Sequence, residues 1–314
     1  MFTAATVLAI IAIALAWPIP IALANASWPS RAPGTALALW QSIALAGGLS
    51  MIGALLCYGL IPFGDSLLSG LGTLATHALD GVPEGVGLDH ILALTGAMLL
   101  TFHLLMNLLA TSFRSERQRR RHHQLVELLS DPLPDRPGTR VIEYAAPVAY
   151  CLPGATRSVT VLSAGIMQLL TADELQAVIA HERAHLRQQH PLVLVTFKSW
   201  RSALPWFPIA NRSENAVALL VEMLADDEAR HEVDDLVLAR AIALAGTSGH
   251  PELAVGIDPE QAPVVDEVDH VDLVTPRVRR LVNPLPPLSV GSRAMVLATA
   301  ISLLLVPTTL LLFN

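Results

Sequence analysis

Four long apolar stretches are the feature that most limits how this chain can fold. None contains Asp, Glu, Lys or Arg, and they cover roughly Phe2–Ala24, Ala36–Phe63, Ile91–Phe113 and Ala294–Phe313. A helix needs about 20 consecutive apolar residues to cross a bilayer. Only 15% of the chain is charged, whereas soluble proteins carry about 25%. The sequence therefore predicts a mainly α-helical membrane protein with about four transmembrane helices, and the lipid bilayer is its first expected partner.

The first apolar stretch has a competing interpretation as a cleaved signal peptide. The sequence "ALANAS", which ends at Ser27, resembles a signal-peptidase site. A signal peptide begins with a positively charged segment, but no Lys or Arg precedes Arg31. We therefore expect an uncleaved first span that is bent or ended by Pro18 and Pro20.

The arginines beside the apolar stretches predict the orientation in the membrane. Five arginines follow the third stretch between residues 114 and 121, and four precede the fourth between residues 277 and 293. The segment between the second and third stretches contains acidic residues but no Lys or Arg. Segments rich in Lys and Arg stay in the cytoplasm. We therefore expect an external N-terminus and a cytosolic segment from residue 114 to residue 293.

This orientation predicts a multi-pass protein of the cell membrane with a cytoplasmic catalytic domain. Residues 1–113 would form three transmembrane helices, residues 114–287 the cytosolic domain, and residues 288–314 the fourth transmembrane helix. The run "RQRRRHH" (Arg117–His123) could instead bind nucleic acid. Directly after a span, retention of the segment in the cytoplasm is the favoured explanation, so no direct nucleic-acid partner is expected.

The cytosolic segment combines strand and helix patterns, which predicts an α+β domain. Runs of β-branched and aromatic residues bounded by Gly and Pro predict strands at Arg140–Ala145, Val148–Gly154 and Ser158–Gly165. A helix is expected to begin after Thr171, because Glu174 completes a capping box, and to end near Pro191.

Other parts of the same segment have weaker patterns. Residues 122–129 predict a short helix, and Leu192–Asn211 predicts a buried helix followed by a loop. A second amphipathic helix is expected at Ser213–Val233, and residues 249–292, rich in Pro, Asp and Val, predict a loop that leads into the last span.

The sequence "HERAH" has the residue pattern of a metal-dependent hydrolase. Residues four apart on a helix share a face, so His181 and His185 can bind one ion through their imidazoles. Glu182 is rotated away from them and can act as general base on a water beside the ion. We therefore predict a Zn²⁺ site with His181 and His185 as ligands and Glu182 as the catalytic residue.

Zinc needs a third protein ligand, and the second helix contains a candidate. Glu222 lies in "EMLAD", and Asp226, four residues later, falls on the same helix face. We predict that Glu222 is the third ligand and that Asp226 accepts the free N–H of a ligand histidine. His190 is the alternative third ligand, although it lies five residues after His185 rather than the six of the metzincin pattern.

Taken together, these motifs resemble the membrane metallopeptidases of the BlaR1/MecR1 type (peptidase family M56). The resemblance rests on "VAYCLPG", "VTVLSAGIMQLLTADELQAVIAHERAHLRQQHP", "LPWFPIAN" and "VEMLADDEA", and it covers about residues 140–235 and the four-span plan. The HExxH and ExxAD pattern is also similar to the related Ste24/HtpX-type (M48) peptidases. The resemblance implies a gluzincin-like fold, zinc held by His181, His185 and Glu222, Glu182 as the base, and cleavage of peptide bonds on the cytosolic side.

For BlaR1-type members, the resemblance further implies signalling through cleavage of a transcriptional repressor. Those receptors carry a penicillin-binding sensor domain after the last span, whereas this sequence stops at Asn314, so we do not expect direct β-lactam sensing. The expected function is thus that of an integral-membrane zinc metalloendopeptidase with a protein or peptide substrate, a DNA-binding repressor being one candidate. The alternatives are a Ste24/HtpX-like protease for membrane-protein processing or quality control, and a catalytically silent membrane signal transducer.

Several polar residues outside the motif have more than one interpretation. His231 and Arg240 could help to stabilise an oxyanion, but an ordinary surface or structural role is favoured. His103 and Asn107, four residues apart in the third span, are expected to face neighbouring helices. Cys57 and Cys151 form neither a metal-binding nor a disulfide pattern.

Overall fold

The computed structural model describes residues 1–80, 86–134, 138–152, 159–205, 208–247 and 272–313. Over these residues the protein is mostly helical and contains one small mixed sheet, which confirms the mainly helical part of the prediction. The chain divides into two compact units. Unit 1 comprises Met1–Leu109, Ser199–Ala216 and Leu288–Asn314, and unit 2 comprises Ala110–Lys198 and Val217–Pro287.

The α-helices are numbered in chain order. They are α1 (Phe2–Ala16), α2 (Pro18–Ala24), α3 (Pro33–Gly59), α4 (Leu67–Asp80), α5 (Leu88–Leu129), α6 (Ala164–Leu169), α7 (Ala172–Arg187), α8 (His190–Ala203), α9 (Pro208–Ala229), α10 (Asp235–Thr247), α11 (Thr275–Val282) and α12 (Val290–Leu312). The strands are β1 (Ser130–Pro132), β2 (Thr139–Ile142), β3 (Ala149–Leu152) and β4 (Val159–Ser163).

Four helical segments are long and apolar enough to cross a membrane. They are Phe2–Ala24, Pro33–Gly59, Leu88–Leu129 and Val290–Leu312, and each overlaps one of the four predicted stretches. Large apolar side chains on them, such as Ile13 and Phe102, are more than 60% exposed. Because lipid tails are as apolar as these side chains, such surfaces are compatible with a bilayer.

The first span is interrupted where its prolines predicted a bend. Helix α1 ends at Ala16, and α2 begins with Pro18 in its first turn. Proline has no backbone N–H and cannot donate to the carbonyl four residues earlier, so the hydrogen-bond ladder cannot continue through it. The prediction that the prolines bend or end the first span is confirmed by the end of α1 at Ala16.

Close packing in unit 1 depends on a glycine of α3. A Cβ atom at Gly53 would lie 2.9 Å from a methyl carbon of Leu311 and 3.2 Å from one of Leu8. The absence of a side chain at Gly53 therefore allows α1, α3 and α12 to approach closely, with Leu8 fully buried.

Helix α5 continues well beyond the apolar stretch that predicted it. It is a single helix of 42 residues that includes the arginine run and ends at Leu129. The separate short helix predicted at residues 122–129 is therefore its last part. No Gly or Pro occurs between Phe113 and Leu129, and Glu116 forms ion pairs with Arg119 (2.7 Å) and Arg120 (2.7 Å) on the helix surface.

The sheet belongs to unit 2 and has the order β1-β2-β4-β3. Strands β2 and β4 are parallel, whereas β1 is antiparallel to β2 and β3 is antiparallel to β4. The three predicted strands correspond to β2, β3 and β4, although Pro153, Gly154 and Ser158 of the predicted strands lie outside the described residues. Strand β4 is central and its Val161 and Leu162 are fully buried, while β3 lies at an edge of the sheet.

One buried cluster of unit 2 lies among α7, α10 and α11. Ala177 and Ala180 of α7 pack with Leu238 of α10 and Leu281 of α11. The loop predicted for residues 249–292 is wrong over Thr275–Val282, because Val274, Val278 and Leu281 bury one helical face there. The part of that loop from residue 249 to residue 271 lies outside the described residues.

Helix α9 also departs from its predicted start. It begins at Pro208 rather than Ser213 and ends at Ala229. A proline at the first helical position is favourable because its missing N–H would have no partner there. The extra turn leaves the position of Glu222 within the helix unchanged.

Candidate metal centre

Helix α7 positions the HExxH residues, and its start is well defined. The Thr171 hydroxyl accepts a hydrogen bond from the backbone of Glu174 (3.4 Å), and the Glu174 carboxylate accepts one from the backbone of Thr171 (2.8 Å). Both bonds of the predicted capping box are thus present. Leu175 and Ile179 anchor one face of the helix in the apolar core, while His181 is buried on an adjoining face.

Helix α9 brings the second pair of predicted residues to the same place. The side chains of Glu222 and Asp226 are 4% and 1% exposed. Buried apolar neighbours in the same helix, Val221, Met223 and Ala225, hold this part of α9 in the core of unit 2. Carboxylates are rarely so buried unless they are paired.

The atoms of His181, His185 and Glu222 converge as a ligand set would. Nε2 of His181 lies 3.1 Å from Nε2 of His185 and 3.2 Å from Oε2 of Glu222. Nε2 of His185 lies 3.5 Å from Oε1 of Glu222. A tetrahedral zinc ion with bonds of about 2.0–2.1 Å separates its ligand atoms by about 3.3 Å. Two imidazole nitrogens and one carboxylate at these separations fit a zinc ion.

The charge distribution also favours a cation at this position. Burial and the charge of Arg277 alone would lower the pKa of His181, but the hydrogen bonds that its ring donates to the carboxylates of Asp226 and Glu222 raise it to about 9. Burial would raise the pKa of Glu222, but the charge of Arg277 and the neighbouring histidines lower it well below its ordinary value. Glu222 is therefore a carboxylate, the form that binds metals.

The structure places Asp226 against the far nitrogen of His181. Oδ1 of Asp226 lies 2.9 Å from Nδ1 of His181. In the neutral ring that a metal ligand requires, a proton on Nδ1 leaves the lone pair of Nε2 directed at Glu222 and His185. The structure thus brings together Asp226 and His181, and the orienting role predicted for Asp226 stays a prediction.

Sequence reasoning missed Arg277, a central residue of this site. Its Nε and Nη2 donate to the two oxygens of Asp226 (2.8 and 2.7 Å), and Nη1 lies 2.9 Å from Oε2 of Glu222. Arg277 is 8% exposed, and with its hydrogen bonds it lowers the pKa of Asp226 to about 2 although burial opposes this. The apolar spacing of Val274, Val278 and Leu281 around it was the available signal for a helix, and the surrounding prolines obscured it.

Glu182 lies next to His181 on α7 and contacts the edge strand β3 of the sheet. It accepts a hydrogen bond from the backbone of Cys151 in β3. Burial raises the pKa of Glu182 to about 7, and the charge of Glu222 adds to this effect. A carboxyl group with a pKa near neutrality can both take up and release a proton.

The alternative third ligand, His190, lies on the other side of His185. Its Nδ1 is 2.9 Å from Nδ1 of His185, whereas it is Nε2 of His185 that faces His181 and Glu222. The geometry thus brings Glu222 into the ligand set and leaves His190 outside it. Burial lowers the pKa of His185 to about 3 and that of His190 to about 4, so both rings are neutral.

The two residues considered for oxyanion stabilisation make other contacts. Nδ1 of His231 lies 3.1 Å from the carbonyl oxygen of Glu228. Arg240 pairs with Glu174 at 2.9 Å and is 72% exposed. These contacts agree with the ordinary surface roles that we favoured.

Comparison with known families gives one match. Residues 114–224 match the model of peptidase family M48, a segment that includes His181, Glu182, His185 and Glu222 and ends before Asp226. Neither the curated proteins nor the solved structures provide a match to the chain. The matched segment is about a third of the 314 residues, and its similarity to the M48 peptidases supports a metallopeptidase.

Proposed function

We propose that this protein is an integral-membrane zinc metalloendopeptidase. The observation that carries the proposal is the convergence of His181, His185 and Glu222 at 3.1–3.5 Å, with Glu182 beside them, in a segment similar to a peptidase family. The alternative is that His181 and His185 are unrelated histidines on a solvated helix face. That alternative does not account for the buried carboxylate of Glu222, which α9 places against them.

The chain's own residues supply the binding, orientation and proton transfer of peptide hydrolysis. A zinc ion, when bound, would supply Lewis-acid activation of a water and of the scissile carbonyl. Glu182 takes a proton from the attacking water and delivers it to the leaving amine nitrogen. Asp226 orients His181, and Arg277 fixes the carboxylates of Glu222 and Asp226.

An extended substrate would pair with the outer edge of β3, the side away from β4. This strand is bonded to β4 on one side, and the backbone of its Cys151 contacts Glu182. Peptides commonly add to an exposed sheet edge through main-chain hydrogen bonds. Such pairing would place a peptide backbone next to the proposed base and the ligand set.

We further propose that the catalytic unit faces the cytosol of the cell-membrane protein. Four helices of sufficient length and apolarity support the membrane location. The arginines that follow Phe113 and precede Ala294 support the cytosolic side. Lipid and a protein or peptide are accordingly the proposed partners, without direct binding of nucleic acid.

Two substrate classes are compatible with this location. BlaR1-type signalling would require a soluble transcriptional repressor, which the resemblance in sequence motifs favours. Membrane-protein processing or quality control of the Ste24/HtpX type is favoured by the match to the M48 family. A catalytically silent transducer is the least favoured, because His181, Glu182, His185 and Glu222 are all present.

Metal analysis and proteolysis of the detergent-purified chain test the proposal. We expect one zinc per wild-type chain, loss of zinc in Glu222→Ala, and retention of zinc without cleavage of fluorescent casein in Glu182→Gln. Glu228→Ala, a change on the same helix outside the ligand set, serves as the control and should keep both zinc and activity. Full zinc occupancy in Glu222→Ala, or cleavage by Glu182→Gln at the wild-type rate, would contradict these assignments.

A further inference from the structure

We propose that His190 and Gln188 are positioning residues that fix the His185 imidazole in the tautomer able to bind a metal ion. The inference rests on the proposed function and extends it to the second ligand histidine, whose orienting partner the sequence motif does not reveal. His190 is 2% exposed, and its ring stands nearly perpendicular to that of His185, with 4.8 Å between centroids and 83° between planes.

The turn between α7 and α8 brings these residues together. Helix α7 ends at Arg187, and Gln189 has a φ of 52°. A residue with a side chain seldom adopts this left-handed conformation. Here it forms part of the turn after which α8 begins at His190, and the His190 ring contacts the ring of His185 in the last turn of α7.

Three side chains form a continuous hydrogen-bonded series. Oε1 of Gln188 lies 2.8 Å from Nε2 of His190, and Nδ1 of His190 lies 2.9 Å from Nδ1 of His185. The other ring nitrogen of His185, Nε2, faces His181 and Glu222.

The direction of each hydrogen bond follows from the chemistry of its atoms. An amide oxygen can only accept, so Nε2 of His190 carries the proton. In a neutral imidazole the other nitrogen is then an acceptor, so Nδ1 of His190 accepts from Nδ1 of His185. Nε2 of His185 is left with its lone pair, directed at Glu222.

His185 is oriented by the neutral Gln188–His190 pair, whereas His181 is oriented by the carboxylate of Asp226. Glu182, Glu222 and Asp226 already place three carboxyl groups in the site, and Arg277 is the cation that pairs with two of them. A fourth carboxylate at position 190 would add buried negative charge, which is costly without a partner. The Gln188–His190 pair orients the ligand without that charge.

Variants of the exposed Gln188 test the direction of the series without disturbing the core. Gln188→Lys replaces the accepting oxygen with a donor, which would reverse both hydrogen bonds and place a proton on Nε2 of His185. We expect zinc affinity, measured by chelator competition on the full chain in detergent, to fall about tenfold to hundredfold. Gln189→Lys adds the same charge at the neighbouring exposed position and should bind zinc like the wild type.

Variants of His190 separate positioning from filling of space. His190→Asn retains an acceptor oxygen near the position of Nδ1 and should preserve most of the affinity. His190→Leu retains bulk but no acceptor and should lose about as much as Gln188→Lys. A role in packing alone would predict the opposite order, because Leu fills an apolar site better than Asn.

The tautomer of His185 can be measured directly in zinc-free, ¹⁵N-histidine-labelled protein. We expect the proton on Nδ1 in the wild type and on Nε2 in Gln188→Lys. A proton on Nε2 of wild-type His185, or unchanged zinc affinity in both Gln188→Lys and His190→Leu, would overturn the inference while leaving the proposed function intact. Absence of zinc binding by the wild type would instead defeat the proposed function, and the ¹⁵N spectrum would still decide the tautomer.

Discussion

Arg277 carries the positive charge that two buried carboxylates of the metal centre share. Arg277→Met keeps much of the apolar stem but removes the guanidinium that pairs with Glu222 and Asp226. Removing one member of a buried ion pair costs about 3–5 kcal/mol. We therefore expect the free energy of unfolding of the zinc-free protein to fall by about that amount, as measured by denaturant titration in detergent.

The matched control for Arg277 lies on the same helix. Arg279 is exposed, so Arg279→Met should change the free energy of unfolding by no more than about 0.5 kcal/mol. Equal losses in the two variants would show that the interactions of Arg277 with the carboxylates contribute little to stability.

At the residue scale, the sequence predicted those site residues whose relation is local. The spacing of His181 and His185, and that of Glu222 and Asp226, follows from the helical repeat within one element. Arg277 lies 51 residues after Asp226 and meets it only through tertiary packing. His190 was an alternative ligand because it lies close to the metzincin position for a third histidine, and spacing alone could not show that it faces Nδ1 of His185.

Among the elements, α3 offers a direct test of close helix packing. Gly53→Leu would force a side chain into the space between Leu8 and Leu311. Overpacking of this kind costs about 1–3 kcal/mol. We expect a lower thermal unfolding temperature for the detergent-solubilised variant.

Gly291→Leu is the appropriate control, since nothing lies within 4 Å of a Cβ atom at Gly291. Both changes replace a helical glycine and gain about 1 kcal/mol of helix propensity, so the difference between the variants isolates packing. If Gly53→Leu is as stable as Gly291→Leu, close approach at Gly53 is not needed for this fold.

Elements were predictable from the sequence where the residues of the element itself determine its structure. The spans and the capped start of α7 depend on local sequence. Strand β1 has the sequence "SDP" and is ordered by pairing with β2, where Arg140 also donates to the Ser130 hydroxyl (2.6 Å). Helix α11 was missed for a similar reason. The prolines that flank it do not predict a helix, and the helix is stabilised by tertiary contacts of its buried face.

At the scale of the whole molecule, each compact unit is built from segments that are far apart in the sequence. Ser199–Ala216 groups with the long apolar helices of unit 1. Within that unit, His103 contacts the carbonyl oxygen of Ala203 (3.0 Å) and Asn107 accepts from the Ser202 hydroxyl (3.1 Å). These polar residues of the third span therefore face a neighbouring helix, as expected, and the contact could not be read from either segment alone.

The side of the membrane on which the metal centre lies is the last property to test. Because arginines follow Phe113 and precede Ala294, we expect Glu232 in the cytosol and Asp65 outside. A chain with Cys57→Ala and Cys151→Ala has no native thiol, so Asp65→Cys or Glu232→Cys can be added to it one at a time. Both positions are exposed.

Labelling of intact cells with a membrane-impermeant maleimide then reports the orientation. The Asp65→Cys chain should react in intact cells, and the Glu232→Cys chain should react only after the membrane is permeabilised, which also shows that its thiol is reactive. The reverse pattern would place the HExxH helix on the external face. The proposed cleavage of cytosolic substrates would then be untenable, whereas the ligand geometry of His181, His185 and Glu222 would be unaffected.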